Sequence, residues 1–207
     1  VVGAVIEVAS GMRFGDFLKK EIFEPLGMND TDFWVPEEKQ DRLAKVYDCR
    51  EGQPSVRYLD NNLGIQNDMA YRPAYEAGGA GLASTIDDYA KFTQMLLNGG
   101  TYNGVQILRP ATVKFLGGHT LSAVQQAGFD NWIGLEGFSY GNLMRVLVDP
   151  TRAVTLGSKG EFGWDGWLGC YMEVVPEQNM TFLMMTQKKD AGTYTLSRKI
   201  RNIIFSE

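Results

Sequence analysis

The residues with the clearest chemical pattern form the run Gly160-Glu161-Phe162-Gly163-Trp164-Asp165-Gly166-Trp167-Leu168-Gly169, which leads into the alternating stretch Cys170 to Val175 and the turn Pro176-Glu177-Gln178-Asn179. Glycines ahead of a strand let backbone come close to a substrate, as at a sheet edge, so the run reads as one wall of an active site. No matching nucleophile and base accompany it. His119 is the only histidine, and Gly117-Gly118-His119-Thr120 reads as a surface loop rather than a rigid mount for the base of a Ser-His-Asp triad. A Ser-x-x-Lys pair would set a hydroxyl nucleophile one helical turn from a lysine. None of Ser10, Ser55, Ser84, Ser122, Ser139, Ser158 and Ser197 has lysine at the third position after it. Tyr140-Gly141-Asn142 matches Tyr-x-Asn formally, but it stands just before a strand, and three-residue matches arise by chance.

Cofactor chemistry is equally thin. One histidine and scattered carboxylates give no metal-ligand spacing. Gly78 to Gly81 lacks both a following Lys-Ser/Thr and the spacing of a dinucleotide fingerprint, so no cofactor and no metal are expected. Cys49 and Cys170 are too few for a disulfide framework and read as buried or half-exposed thiols.

These residues must be positioned by the elements around them. Val1, Val5, Ile6 and Val8 form the end of an apolar helix closed by Ser10-Gly11, and Phe14, Phe17, Leu18, Ile22 and Phe23 form a second, stopped by Pro25 with Gly27. From Asn29 to Arg72 the pattern loosens, with β-like pieces at Leu43 to Tyr47 and Ser55 to Leu59. The capping-box pattern Ser84-Thr85-Ile86-Asp87 predicts a helix over 86–98, ended by Asn98-Gly99-Gly100. A turn at Asn103-Gly104 precedes a short helix from Pro110 through Phe115. Beyond residue 130 two-residue alternation marks strands at Leu143 to Val148, Gly169 to Val175 and Thr181 to Thr186. Tyr194 to Phe205 predicts an amphipathic helix covering that sheet.

Composition bounds the remaining classes. The 207 residues are 44% hydrophobic and 12% aromatic, enough for one substantial core or two small ones, and no repeat or linker marks a second domain. A net charge of -5 with no basic run argues against a nucleic-acid partner, and no apolar stretch reaches the roughly 18 residues of a membrane span. The opening VVGAVIEVASGM lacks both an initiator Met and the positive flank of a signal peptide, and its apolar pattern is already under way.

Three stretches, in order and spacing, carry a resemblance: Phe23-Glu24-Pro25-Leu26-Gly27-Met28, Gly78-Gly79-Ala80-Gly81-Leu82-Ala83-Ser84-Thr85 and Gly163-Trp164-Asp165-Gly166. Together they resemble the serine β-lactamase-related hydrolases, in the branch of class C β-lactamases, DD-peptidases and family VIII esterases. The resemblance implies an α+β fold, an antiparallel sheet flanked by helices, here lacking the N-terminal strands and the nucleophile helix. It makes residues 1–207 the C-terminal portion of one such domain, with 1–130 mainly helical and loop and 131–207 strands plus a last helix. The family's Ser-x-x-Lys and Tyr-x-Asn are then expected upstream of Val1, and the N-terminal half of the domain becomes a required partner, in the same chain or as a separate polypeptide. Three or more antiparallel strands are expected, with a sheet edge and apolar surface left uncovered.

By the same resemblance, Trp164-Asp165-Gly166 occupies the place of the family's Lys-Thr-Gly, His-x-Gly or Trp-x-Gly motif, and the Trp167 N–H becomes an oxyanion donor. Trp164, Asp165, Gly166, Gly79 and Tyr140 are the implied substrate-binding residues. Tryptophan carries no charge to attract a substrate carboxylate, and Asp165, if it faces the cleft, would repel one, which favours esters or amides over β-lactams. Both tryptophans also fit a packed core, Asp165 also fits solvent, and Gly78 to Gly81 also fits a loop that lets a helix pack. A noncatalytic binding protein on the same fold is the alternative.

Overall fold

The computed structural model describes residues 1–63, 65–191 and 196–206. The chain divides into two units, Val1–Phe92 with Gln187–Lys189, and Thr93–Thr186 with Asp190–Glu207.

In the first unit α1 (Val2–Ser10) ends at Gly11, whose φ of 69° takes the left-handed cap and whose N–H reaches the Glu7 carbonyl. The helix buries none of its residues, and Val2, Val5 and Val8 are exposed. Next, α2 (Phe14–Leu18) runs through a π-turn at Lys19–Phe23 into α3 (Glu24–Leu26), which Gly27 terminates at φ 69°. Pro25 therefore lies inside the helical run and only Gly27 stops it. Proline has no N–H to offer and its ring crowds the carbonyl four residues back; the widened turn ahead of it relieves that conflict. The β-like pieces become the antiparallel pair β1 (Tyr47–Asp48) and β2 (Val56–Arg57). Helix α4 (Ile86–Leu97) is capped by Thr85, whose hydroxyl accepts the Asp88 N–H at 3.2 Å. The expected cap, Ser84, instead meets the Thr31 hydroxyl at 2.8 Å. With Asp87 and Asp88 adjacent, the sequence supports both registers.

The second unit opens with a hairpin, β3 (Thr101–Tyr102) and β4 (Val105–Gln106), closed by Asn103 and Gly104 at φ 45° and 80°. Two helices follow, α5 (Pro110–Gly118) and α6 (Ala123–Phe129). The second was not expected, although its capping box of Ser122 and Gln125 is written in the sequence. Five antiparallel strands then form one meander in chain order, β5 (Phe138–Gly141), β6 (Met144–Leu147), β7 (Phe162–Asp165), β8 (Tyr171–Val175) and β9 (Met180–Met184). The expected strands correspond to β6, β8 and β9. Strand β5 was missed, and the glycine-rich lead-in is itself β7, the middle strand rather than an edge. A Cβ on Gly163 would stand 2.0 Å from the Met172 carbonyl oxygen, so glycine is what lets β7 sit against β8 here. Leu143, expected in a strand, is in the β5–β6 turn at φ 69°. The last helix is α7 (Leu196–Ile204); Tyr194, expected at its start, lies outside the described residues.

Helix α5 covers one sheet face, with Gly117 so close to Phe162 that a Cβ would lie 2.5 Å from its ring. Residues adjacent in a strand point to opposite faces, and the other face carries charge. There Arg201 of α7 donates to Glu161 at 2.6 Å, to Glu173, to the Tyr171 hydroxyl at 3.1 Å and to the Leu156 carbonyl at 2.8 Å. Arg201, Glu161 and Glu173 are all buried. One arginine faces two carboxylates, and burial, followed by repulsion from Glu173, pushes Glu161 up to about 8. The folded state thus holds a proton that the unfolded chain releases near 4.5, so this contribution to stability is full below about 4.5 and is lost as pH rises through about 8. Thermal unfolding should show wild-type stability falling across that window more steeply than in Glu161→Gln, which cannot titrate. Parallel slopes would mean that Glu161 ionises freely in the fold.

Candidate active site

Strand β7 delivers Trp164 and Asp165 at its end, and the chain turns at once through Gly166 and Trp167. Trp164 is half-buried and stands edge-on to Tyr140 of β5, ring centroids 5.2 Å apart, and to Trp132, 6.1 Å away at 90°. Phe129 lies 5.9 Å from Tyr140 and 6.1 Å from Trp132, which closes a circuit of four rings. Two residues singled out in the sequence, Trp164 and Tyr140, therefore meet. Edge-to-face packing of this kind holds the rings in place while Trp132 remains 54% exposed.

Asp165 is not a bare anion. Its carboxylate accepts from Arg145 of β6 at 2.6 Å, and the Arg145 side chain is 2% exposed. The guanidinium lies 4.5 Å from the centroid of the Tyr171 ring. Register puts Arg145, Gly163 and Glu173 in one row across β6, β7 and β8, so these side chains share the face that α7 covers. The sequence-based argument that Asp165 would repel a substrate carboxylate loses its footing, because Arg145 matches its charge. Arg145 was missed, although a charge inside the apolar alternation Met144 to Leu147 was a readable sign.

The turn after β7 is fixed by backbone bonds. Gly166 donates to the Cys170 carbonyl at 2.8 Å, and Gly169 donates to the Gly166 carbonyl at 2.9 Å. Gly169 has φ 85°, and a Cβ there would stand 2.4 Å from the Thr186 hydroxyl. In a trans peptide C=O and N–H point opposite ways, so holding the Gly166 carbonyl inside the turn aims the Trp167 N–H away from it. Trp167 is anchored further by its indole N–H on the Asp190 carboxylate and by its carbonyl, which accepts the Ala191 N–H at 3.1 Å. The turn after β7 is thus held by its backbone bonds and by the Trp167 indole.

The other candidates fall elsewhere. Gly79 belongs to the first unit and faces open space, whereas its neighbours serve packing: a Cβ on Gly78 would meet the Phe14 ring at 2.9 Å, and one on Gly81 the Phe33 ring at 3.1 Å. The His119 ring is exposed and rests on Phe115 at 5.2 Å, while its carbonyl approaches Gly141 so closely that a Cβ would lie 2.0 Å away. Asn142 spends its side-chain amide on the Phe115 carbonyl at 2.9 Å. The Cys170 thiol donates to the Thr186 carbonyl at 3.3 Å, and burial pushes it up. Among the described residues no group of three acidic, histidine or cysteine side chains is placed to hold a metal, and no helix is long and apolar enough to cross a membrane.

Comparison with known proteins gives the family and the fold. The sequence model of the beta-lactamase family matches residues 1–203. A Mycobacterium tuberculosis protein is 30% identical over 194 residues, covering 90% of this chain and 46% of its own length. A lovastatin esterase of Penicillium rubens is 29% identical over 170 residues, covering 81% and 40%. The chain spans about half the length of the curated relatives it matches. Among solved structures, a variant of simvastatin synthase from Aspergillus terreus superposes with a TM-score of 0.81 at 18% identity, covering 99% of this chain and 52% of that one. EstCE1, a hydrolase with promiscuous acyltransferase activity, gives 0.77 at 23%, covering 98% and 53%. At those identities the likeness speaks for the fold.

Removing the charge of Asp165 would leave Arg145 buried without its partner. Asp165→Asn should cost about 3 kcal/mol in urea unfolding. A loss below about 0.5 kcal/mol, the range of ordinary surface changes, would mean that the pair is not formed.

Proposed function

The chain belongs to the beta-lactamase family of hydrolases, and from that premise we propose that it forms the C-terminal portion of a serine hydrolase acting through an acyl-enzyme on esters or amides. The observation that carries the reading is the oriented Trp167 amide at the end of Trp164-Asp165-Gly166. The Gly166 carbonyl is tied into the turn and the Trp167 carbonyl to Ala191, so the N–H between them is aimed in advance of any reaction. A donor fixed in this way stabilises the negative charge that develops on a carbonyl oxygen when a nucleophile attacks it, without reorganising in the transition state.

In this reading a serine supplied upstream of Val1, with its lysine and a tyrosine, attacks the carbonyl and moves the protons. That half of the domain is the required partner, in the same polypeptide or in another. Trp164, Tyr140 and Gly166 contact the substrate, and Asp165 takes part by holding the strand end against Arg145. A tryptophan in the motif offers apolar contact and no positive charge, so uncharged acyl groups suit it better than substrates recognised through a carboxylate.

A fluorophosphonate probe tests the reading. Residues 1–207 alone should take no label, whereas the polypeptide carrying the upstream half should be labelled on one serine outside them. In the unlabelled form of that enzyme Trp167→Pro, which deletes the N–H, should lower kcat about 100-fold, while Trp167→Ala keeps the donor and most of the rate. No labelled serine in the complete protein would favour a binding protein on the same fold, and equal rates for the two variants would remove Trp167 from the oxyanion site.

A further inference from the structure

Trp132 lies in the connection between α6 and β5, more than half exposed, and Ile133 beside it is exposed as well. A lone apolar side chain on a surface calls for no explanation, but Trp132 is the outer member of the ring circuit that holds Trp164. Phe129, on the inner side of that circuit, packs against the buried cluster of Leu135, Phe138 and Leu147. The rings therefore run from the core out to solvent. Trp164, which Trp132 meets there, is the first residue of the Trp164-Asp165-Gly166 motif.

The connection that carries Trp132 is held by polar bonds. The Trp132 N–H reaches the Phe129 carbonyl at 2.9 Å, its carbonyl accepts the Leu135 N–H at 3.2 Å, and Gly134 makes the bend at φ 89°. Gln126 of α6 donates to the Asp130 carboxylate at 2.7 Å and to the Phe138 carbonyl at 2.9 Å, which ties the helix to both ends of the bend. A ring mounted in this way is in place before a ligand arrives, which lowers the ordering cost of binding. Its plane stands at 90° to that of Trp164. Two perpendicular rings make a corner, where a third flat ring stacked on one meets the other edge-on, and both are arrangements that aromatic pairs prefer. Charge has little part here, since Arg145 near Trp164 is matched by Asp165 and Arg152 faces Asp130 at 3.6 Å. We propose that Trp132 is a specificity-determining residue that favours esters or amides carrying a flat aromatic ring, which lies in the corner between Trp132 and Trp164. In this role Trp132 depends on the acyl-enzyme chemistry proposed above and adds the class of side group that suits it.

Three esters test this in the polypeptide that carries the upstream half: ethyl acetate, ethyl phenylacetate with its ring on the acyl side, and benzyl acetate with its ring on the alcohol side. Trp132→Ala should lower kcat/KM for at least one ring-bearing ester, relative to ethyl acetate, by about ten-fold. The ester affected shows which side of the carbonyl faces the corner. Trp132→Phe, which keeps a ring, should retain most of the preference. Unchanged ratios for both ring-bearing esters, as when the upstream half covers the indole, would overturn the assignment. Should Trp132→Ala fail to fold, Trp132→Leu, apolar but without a ring, decides by the same ratios. A complete protein with no fluorophosphonate-labelled serine removes the acyl-enzyme chemistry and the role of Trp132 with it, whereas a labelled enzyme with unchanged ratios loses the role of Trp132 alone.

Discussion

A single cation facing two buried carboxylates sets the terms for the second unit. Arg201 reaches Glu161, at the start of the middle strand, and Glu173, in the next, while α7 supplies the arginine from a segment distant in sequence. Desolvating three such groups is costly, and the arrangement holds because nearly every donor has a place. Arg201 also reaches Leu156, Thr155 and Tyr171, and the second oxygen of Glu161 accepts the Ser158 N–H at 2.9 Å. A Cβ on Gly157 would stand 2.4 Å from the guanidinium, so even the approach of the β6–β7 connection is shaped around this ion.

The same row of charge reaches the candidate active site. Arg145 and Glu173 flank Gly163 in register, and Arg145 continues to Asp165. The end of β7 is thereby held from beneath by an ion pair and from the side by the ring circuit around Trp164, while backbone bonds fix the turn that follows. The oxyanion role proposed for the Trp167 amide would require support of this kind, because an amide by itself does nothing to keep its own position.

Much of the fold was legible where one physical signal dominated. Helical spacing with a glycine cap placed α1, and two-residue alternation placed β6, β8 and β9. The failures have specific causes. Strand β7 contains Gly163 and ends in Trp164-Asp165, so its low apolar content disguised a strand whose neighbours require the missing side chain. Strand β5 is short, and its Gly141 is explained by the His119 carbonyl, a contact between residues far apart in sequence. Arg145, Glu161, Glu173 and Arg201 are far apart in sequence, and only the sheet and α7 bring them together and bury them. At the candidate site, residue types pointed to the glycine-bordered run that ends β7. The carbonyl bonds that aim the Trp167 amide belong to the turn and left no mark in composition.

The π-turn at Lys19–Phe23 makes the first unit sensitive to chain length in a way that its composition conceals. Phe14 before it and Phe23, Leu26 and Met28 after it are all buried, so the two sides are phased to one interior through a turn wider than an α-helix provides. Deleting one residue there would restore regular winding and leave both sides in phase, whereas inserting one would rotate everything downstream by about 100°. Phe23 and Leu26 would swing out of the core together. Natural variation in this segment should therefore appear as substitution or as loss of the one extra residue, and hardly ever as insertion.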